Sequence, residues 1–134
     1  PGSPWIAAAG ELNTPHGLAL DADENVYVAE RLNHRVQIFD SAGRHLALWP
    51  NLTRADSVLV DRHGVVFVGT GHAENAIHRF DRDGHALGML GSGTNAFGYP
   101  HGIHIDREGN LYVADPVAGQ ASASPAKFGA LPDA

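Results

Sequence analysis

The sequence contains no cysteine, which excludes disulfide bonds and thiolate chemistry as sources of stability, metal binding or catalysis. Positive charge is also scarce, because 9 Lys and Arg side chains stand against 15 Asp and Glu, for a formal net charge of −6. A phosphate-rich partner requires a basic patch, so we expect no nucleic-acid partner. No apolar run approaches the roughly 20 residues that span a bilayer, so we expect no membrane partner either.

Helical patterning is missing as well, since no apolar pattern of helical period runs for about ten residues. The sequence contains a repeat instead. Each unit has an alternating strand, an aspartate, a polar turn and an apolar strand. The aspartates are Asp21, Asp61 and Asp106, which are 40 and 45 residues apart. This period, with several short strands per unit, is typical of the blades of a β-propeller.

Each unit is predicted to contain four strands, named a to d. Strand a alternates, with Leu18 and Leu20 in the first unit, which predicts one buried face and one face of small or polar groups. The turn that begins at Asp21 has the Asp and Asn residues of a side-chain-capped turn. An apolar strand b follows, and residues 35–40 and 45–49 are predicted to form strands c and d.

We predict an N-terminal extension or tag scar at residues 1–4, three blades over residues 5–128 and a tail at residues 129–134. Residues 5–10 are predicted to form a d strand that closes a neighbouring blade. Propellers close with four to eight blades. We therefore expect self-association, in which two copies complete a ring of six blades. The alternative is that the chain is a fragment of a longer six-bladed protein.

The first unit has a recognisable motif, Pro-His-Gly-Leu-Ala-Leu-Asp from Pro15, followed by Asn-Val-Tyr-Val-Ala-Glu from Asn25 and Asn-His-Arg-Val-Gln-Ile-Phe from Asn33. This motif resembles the NHL repeat, and the resemblance covers about residues 5–115. It implies an all-β propeller. It does not imply one function, because NHL propellers serve as enzymes, RNA binders and protein scaffolds.

A narrower resemblance rests on histidines at the start of strand a. His16 and His101 stand in Pro-His-Gly in the first and third units, whereas the second unit has Asp56 in Ala-Asp-Ser. This alternation resembles the peptidyl-α-hydroxyglycine amidating lyase family, whose members bind a catalytic zinc with such histidines on the propeller axis. The resemblance implies zinc as the cofactor, with His16 and His101 as metal ligands. The family uses three such histidines, and this chain supplies two.

Three further residues are candidates for the site. His104 alternates outward on strand a of the third unit, where it is either a further metal ligand or a strand residue. Arg31, in Ala-Glu-Arg, matches an active-site arginine of the lyase family, or else it pairs with Glu30, Asp21 or Asp23 and holds the turn. His72 stands where the family has its catalytic tyrosine, so it is either a proton-transfer group or an exposed loop residue.

These residues leave three functions open. The first is a metal-dependent, lyase-like enzyme that acts on a hydroxyl-bearing substrate, with Arg31 orienting a polar group and His72 transferring a proton. The second is a non-catalytic propeller that binds a protein, a peptide or a small molecule. The third is a truncated or engineered array of blades. The sequence has no Ser-His-Asp context, P-loop or His-Glu-x-x-His motif to support another chemistry.

Overall fold

The computed structural model describes residues 8–72, 74–91, 97–115 and the backbone of residues 126–128. Within these ranges the chain is all strand and turn, as predicted, in three antiparallel sheets whose strands pair in chain order. Sheet 1 contains β1 (Pro15–Leu20), β2 (Val26–Glu30), β3 (Arg35–Phe39) and β4 (His45–Trp49). Sheet 2 contains β5 (Ala55–Val60), β6 (Val66–Thr70), β7 (Ile77–Phe80) and β8 (Ala86–Leu90). Sheet 3 contains β9 (Gly102–Ile105), β10 (Leu111–Ala114) and β11 (Ala126–Phe128).

The predicted ends of the chain fall largely outside the described residues. Residues 1–7 and 129–134 lie outside them, so the extension and the tail stay predictions. Of the predicted d strand at residues 5–10, residues 8–10 are described, and they form a turn closed by the Glu11 amide donating to the Ala8 carbonyl at 3.0 Å. No described segment forms a helix long and apolar enough to cross a bilayer.

The repeated aspartates cap their own turns, as predicted. Asp21 accepts from the amides of Asp23 and Asn25, both at 2.9 Å. Asp61 and Asp106 accept from the amides two and four residues later in the same way. Each carboxylate thereby satisfies two donors that a tight turn leaves without strand partners. The recurrence of these aspartates is therefore structural.

We expect the Asp106 carboxyl to titrate well below its ordinary range. A hydrogen bond from the Asn110 side chain, helped by backbone amides and Tyr112, lowers the pKa of Asp106 from 3.8 to about 2. Because the folded pKa is the lower one, this contribution to stability is complete above pH 3.8 and is lost as the pH falls towards 2. A carbon-13 NMR titration checks the midpoint, and Asn110→Ala should raise it. A midpoint near 3.8 in the wild-type chain would contradict the assignment.

The core lies between the sheets. Sheets 1 and 2 enclose one apolar cluster, which includes Tyr27, Val36 and Val58, and sheets 2 and 3 enclose another, which includes Phe67 and Ile77. Sheet 2 is therefore packed on both faces, in the manner of neighbouring propeller blades. This stacking brings the first strands of the three sheets side by side.

The prediction of one buried face for strand a is wrong. In β5, Val58 and Val60 pack towards sheet 1 while Leu59 packs towards sheet 3, so both faces are buried. In β1 the side chain packed against sheet 2 is Ala19, and Leu18 and Leu20 are 70% and 61% exposed. The alternation reports two interfaces of a stacked sheet. On the face of sheet 1 away from sheet 2, no described sheet covers Leu18 and Leu20.

Candidate functional site

The candidate site lies where the first strands of the three sheets begin. His16, Asp56 and His101 occupy the same repeat position, the residue before Gly17, Ser57 and Gly102. The strand register shifts at His16 and at Asp56, which makes each of them the extra residue of a β-bulge. A bulge re-aims its side chain relative to the strand alternation, and bulges are frequent next to active sites.

Close contact between the first strands depends on Gly17. A Cβ atom added there would lie 2.9 Å from the Asp56 carbonyl oxygen and 3.0 Å from the Ser57 Cα atom. Both atoms belong to the backbone and cannot rotate away, so only glycine allows β1 to approach β5 this closely. The Pro-His-Gly motif therefore sets the distance between His16 and its neighbours on β5.

His16 and His101 come together, although sheet 2 separates their sheets in the chain. Their ring centroids are 5.2 Å apart, and the rings are nearly perpendicular at 87°. Nδ1 of His16 lies 2.8 Å from the backbone carbonyl oxygen of Asp56. A carbonyl oxygen only accepts, so Nδ1 of a neutral imidazole must carry the proton, which leaves the Nε2 lone pair free. Neutral imidazole held in this way is a common metal ligand.

Asp56 is a buried carboxylate beside the two histidines. Its side chain is 0% exposed, and its Oδ1 lies 2.8 Å from Nε of Arg31, whose own side chain is 26% exposed. The same oxygen is 4.0 Å from Nδ1 of His16. The contact with Arg31 is an ion pair, and neither carboxylate oxygen accepts a hydrogen bond of good geometry. Arg31 therefore supplies a positive charge next to the buried carboxyl group of Asp56.

Tyr99 completes the group. Nη2 of Arg31 donates to its hydroxyl oxygen, and its ring centroid lies 5.2 Å from that of His101. Burial, followed by the neighbouring Asp56 carboxylate, raises the pKa of Tyr99 above its usual value of 10. The phenol therefore keeps its proton well above neutral pH and has a hydrogen to donate next to the histidines.

Two acidic side chains hold the loops that carry these residues. They are Glu30, the last residue of β2, and Asp115, the residue after β10. Glu30 accepts from the amide of Asn13 at 2.9 Å, just before Pro15 and His16. Asp115 accepts from the amides of Gly98 and Tyr99 at 2.8 and 2.9 Å, just before Pro100 and His101. Glu30 and Asp115 occupy the same position in the repeat. Each carboxylate accepts a hydrogen bond from a backbone amide of the loop that precedes the histidine, and this bond fixes the loop.

Gly71 forms one wall of the site. A Cβ atom there would lie 2.9 Å from Oδ2 of Asp56 and 3.1 Å from Cε2 of Tyr99. His72 follows directly and is exposed. His72 is thus the residue next to this wall along the chain, and its role stays a prediction.

His104 lies on a different surface. It is exposed on β9 opposite Tyr112, and its repeat equivalents are Ala19 and Leu59, which each pack towards the following sheet. Ile103 and Ile105, its neighbours on β9, pack towards sheet 2. Strand alternation therefore directs His104 away from sheet 2.

A complete three-residue ligand set is not assembled around His16 and His101 within the described ranges. The group of three whose ligand atoms lie within 4.8 Å of one another is Asp81, Asp83 and His85, in the turn between β7 and β8. There Asp81 caps the turn and also contacts Nδ1 of His85 at 2.9 Å, so Asp81 and His85 already have structural partners.

Sequence reasoning identified His16, His101 and Arg31 for the site but missed Asp56 and Tyr99 as functional candidates. The repeat alignment contained the signal for Asp56, because it fills the histidine position of the second unit. The signal for Tyr99 is weaker, since it consists of an aromatic residue next to Pro100-His101. A cavity of about 1360 Å³ is lined by Asp61, Asp81 and Asp106, among others, and lies away from these residues.

Known proteins resemble the chain in sequence. Residues 12–39, which run through β3, match the model of the NHL repeat. The chain is 26% identical over 114 residues to "Protein brain tumor" of Drosophila melanogaster, covering 79% of this chain and 11% of that protein. It is 23% identical over 124 residues to a probable peptidyl-alpha-hydroxyglycine alpha-amidating lyase of Caenorhabditis elegans, covering 80% of this chain and 35% of the lyase. It therefore spans only a minor part of these relatives.

Solved structures share the fold. A gluconolactonase of Xanthomonas campestris superposes with a TM-score of 0.69 at 20% identity, over 85% of this chain and 39% of that one. The virginiamycin B lyase of Staphylococcus aureus superposes with a TM-score of 0.65 at 14% identity, over 90% and 42%. At these identities the likeness establishes the fold alone. The chain is thus an all-β protein of β-propeller fold, in which residues 12–39 match the NHL repeat.

Proposed function

We propose that His16 and His101 bind a zinc ion and that the protein is a metal-dependent, amidating-lyase-like enzyme acting on a hydroxyl-bearing substrate. The observation that carries the proposal is the convergence of the two imidazoles, with ring centroids 5.2 Å apart and Nδ1 of His16 tied to a backbone carbonyl. This donor set suits zinc, which binds neutral imidazole and leaves positions for water or substrate at catalytic sites. A bound zinc would act as a Lewis acid on the substrate oxygen.

The neighbouring side chains have roles that fit such a substrate. Arg31 keeps its guanidinium beside Asp56 and remains 26% exposed, so it can orient a polar or anionic substrate group with its planar set of donors. Tyr99 has a pKa above 10, so it keeps its proton at neutral pH and donates a hydrogen bond to a substrate oxygen. His72, exposed after Gly71, is proposed to transfer a proton, since histidine titrates near neutrality. The distant lyase relative supports this reaction class.

Zinc titration of chelator-treated protein tests the site. We expect His16→Ala and His101→Ala each to weaken zinc binding by at least about tenfold, because each removes one imidazole ligand. Isothermal titration calorimetry measures the affinity. His45→Ala is the matched control, since His45 is exposed on the outer strand β4, and His85→Ala tests the Asp81 turn. Unchanged zinc affinity in the double variant of His16 and His101 would overturn the proposal.

A second function is supported by one observation. Within the described residues, no third ligand atom joins His16 and His101 within 4.8 Å. A site with two imidazoles suits a non-catalytic propeller whose axial end binds a protein, a peptide or a small molecule. This alternative predicts no bound transition metal and no effect of the His16 and His101 substitutions on metal content.

A further inference from the structure

His34 holds two neighbouring segments of the chain together. The β2–β3 turn consists of residues 31–34, and the β4–β5 loop consists of residues 50–54, which lead directly into β5. Nδ1 of His34 accepts a hydrogen bond from the backbone amide of Arg54 at 2.8 Å. The carbonyl oxygen of His34 accepts from the amide of Leu52, also at 2.8 Å. One residue of the turn therefore fixes the loop through both its side chain and its backbone.

These two segments supply the ion pair of the candidate site. Arg31 begins the β2–β3 turn, and Asp56 lies just beyond the β4–β5 loop, as the second residue of β5. Nε of Arg31 and Oδ1 of Asp56 are 2.8 Å apart. The carbonyl oxygen of Asp56 also lies 2.8 Å from Nδ1 of His16. The contacts of His34 thus hold together the two stretches of backbone that carry Arg31 and Asp56.

The bond from Arg54 requires a neutral His34. A backbone amide only donates, so Nδ1 must offer its lone pair, and the ring proton must lie on Nε2. A protonated imidazole carries hydrogens on both nitrogens and cannot accept a hydrogen bond. Histidine changes its charge between about pH 5 and 8. Acidification through this range therefore breaks the bond.

A proton on His34 gains no carboxylate partner in exchange. Within the described ranges, the histidines that form ion pairs with carboxylates are others. The two segments and the strand that follows the turn carry Arg31, Arg35 and Arg54. Glu30, which ends β2, already pairs with Arg35 at 2.6 Å. Protonation thus adds a positive charge to segments that already carry arginines, and nothing there offsets the lost hydrogen bond.

We propose that His34 is an acid-sensitive positioning residue: its neutral imidazole fastens the β4–β5 loop, and its protonation releases the Arg54 amide and loosens the Arg31–Asp56 ion pair. The other bonds of the loop, such as that from the Gly71 amide to the Arg54 carbonyl oxygen at 3.0 Å, do not depend on the charge of an imidazole. The release is therefore local and leaves the sheets folded. This inference does not depend on the proposed zinc site.

His34→Asn separates the hydrogen bond from the titration. Oδ1 of asparagine is attached to Cγ, as Nδ1 of histidine is, so it offers an acceptor at the same place without titrating. The φ of His34 is 53°, in the left-handed region, which asparagine tolerates. Asn75 occupies the equivalent position of sheet 2, with a φ of 51°. His34→Gly also allows this φ but removes the acceptor.

Hydrogen exchange of the Arg54 amide, followed by NMR and corrected for the intrinsic effect of pH, tests the proposal. In the wild-type chain, protection should fall by about fivefold between about pH 8 and 5, as expected for the loss of one hydrogen bond. His34→Asn should stay protected throughout, and His34→Gly should be weakly protected throughout. His63→Asn, beyond the opposite end of β5, is the matched control and should respond like the wild type.

Global acid unfolding does not interfere in this window, because the pKa values of Asp106 and Glu30 lie below it. The same protection of the Arg54 amide at both pH values in the wild-type chain would refute the proposal. So would an equal acid response in the wild type and in His34→Asn.

Two further NMR signals report the proposed states directly. The Nε resonance of Arg31 should change more on acidification in the wild type than in His34→Asn, and equal changes would show that His34 does not act on the ion pair. His16, which contacts Asp56, accounts for the part of the change common to both proteins. Nitrogen-15 spectra of the wild-type imidazoles need no variant. They should show the His34 proton on Nε2 at about pH 8, and a proton on Nδ1 there would rule out the bond from Arg54.

Discussion

Replacing Glu30 with alanine is expected to lower the free energy of unfolding by about 3–5 kcal/mol, the usual cost of removing one partner from a buried ion pair. Glu30 is 0% exposed and accepts from Nε of Arg35 at 2.6 Å. It also accepts from Asn33, Gln37 and the Asn13 amide, at 2.7, 2.8 and 2.9 Å. Alanine would leave Arg35, itself 5% exposed, without its carboxylate.

The pKa of Glu30 supports this expectation. Burial alone would raise it, but the hydrogen bonds from Arg35 and its neighbours hold the pKa below the usual 4.5. The stabilisation is therefore present above pH 4.5 and is lost as the pH falls through the lower folded value. Urea unfolding followed by tryptophan fluorescence measures the change. Arg44→Ala removes an 81% exposed partner of Asp40 and keeps the Asp40 turn cap, so it should change little. A Glu30→Ala midpoint close to that of Arg44→Ala would contradict the role of Glu30.

Much of the fold is predictable because contacts between residues close together in the sequence specify each repeat. Each capping aspartate acts on amides two and four residues away, so Asp21 and Asp106 mark their turns in the sequence itself. The burial of strand a depends instead on what lies beside the sheet. Leu18 and Val58 occupy the same position, yet one is 70% exposed and the other 7%. Local alternation cannot distinguish them, because the difference is the presence of a preceding sheet.

The site is less predictable than the fold because its contacts cross between sheets. The repeat alignment places His16 and His101 at equivalent positions, and this suffices to predict that they converge. The pairing of Arg31 with Asp56 joins the end of one sheet's second strand to the first strand of the next. Tyr99 comes from a loop 68 residues beyond Arg31. Only packing of the sheets brings these groups together, so no local pattern indicates them.

Asp56→Asn is expected to distinguish the contribution of the Arg31–Asp56 ion pair from that of the two imidazoles. The substitution keeps the volume and the backbone carbonyl that holds His16, but it removes the charge that pairs with Arg31. Because the Arg31 side chain is 26% exposed, water can hydrate its guanidinium once the carboxylate is gone. The free energy of unfolding should therefore fall by about 2 kcal/mol, which is less than the cost of breaking a fully buried pair. Zinc affinity, on the proposal above, should stay within about threefold, since the imidazoles are untouched.

Tyr99 provides the direct readout of Asp56→Asn. After burial, the Asp56 carboxylate is the next cause of the raised Tyr99 pKa, so removing its charge should lower that pKa towards 10. Ultraviolet difference titration against a Tyr99→Phe reference isolates this phenol. Asp61→Asn is the matched control, because Asp61 caps the equivalent turn through the amides of His63 and Val65, and asparagine also caps such turns. If Asp56→Asn left the Tyr99 titration unchanged, as Asp61→Asn should, the carboxylate would not face the phenol. The two imidazoles would then act without the Arg31, Asp56 and Tyr99 group beside them.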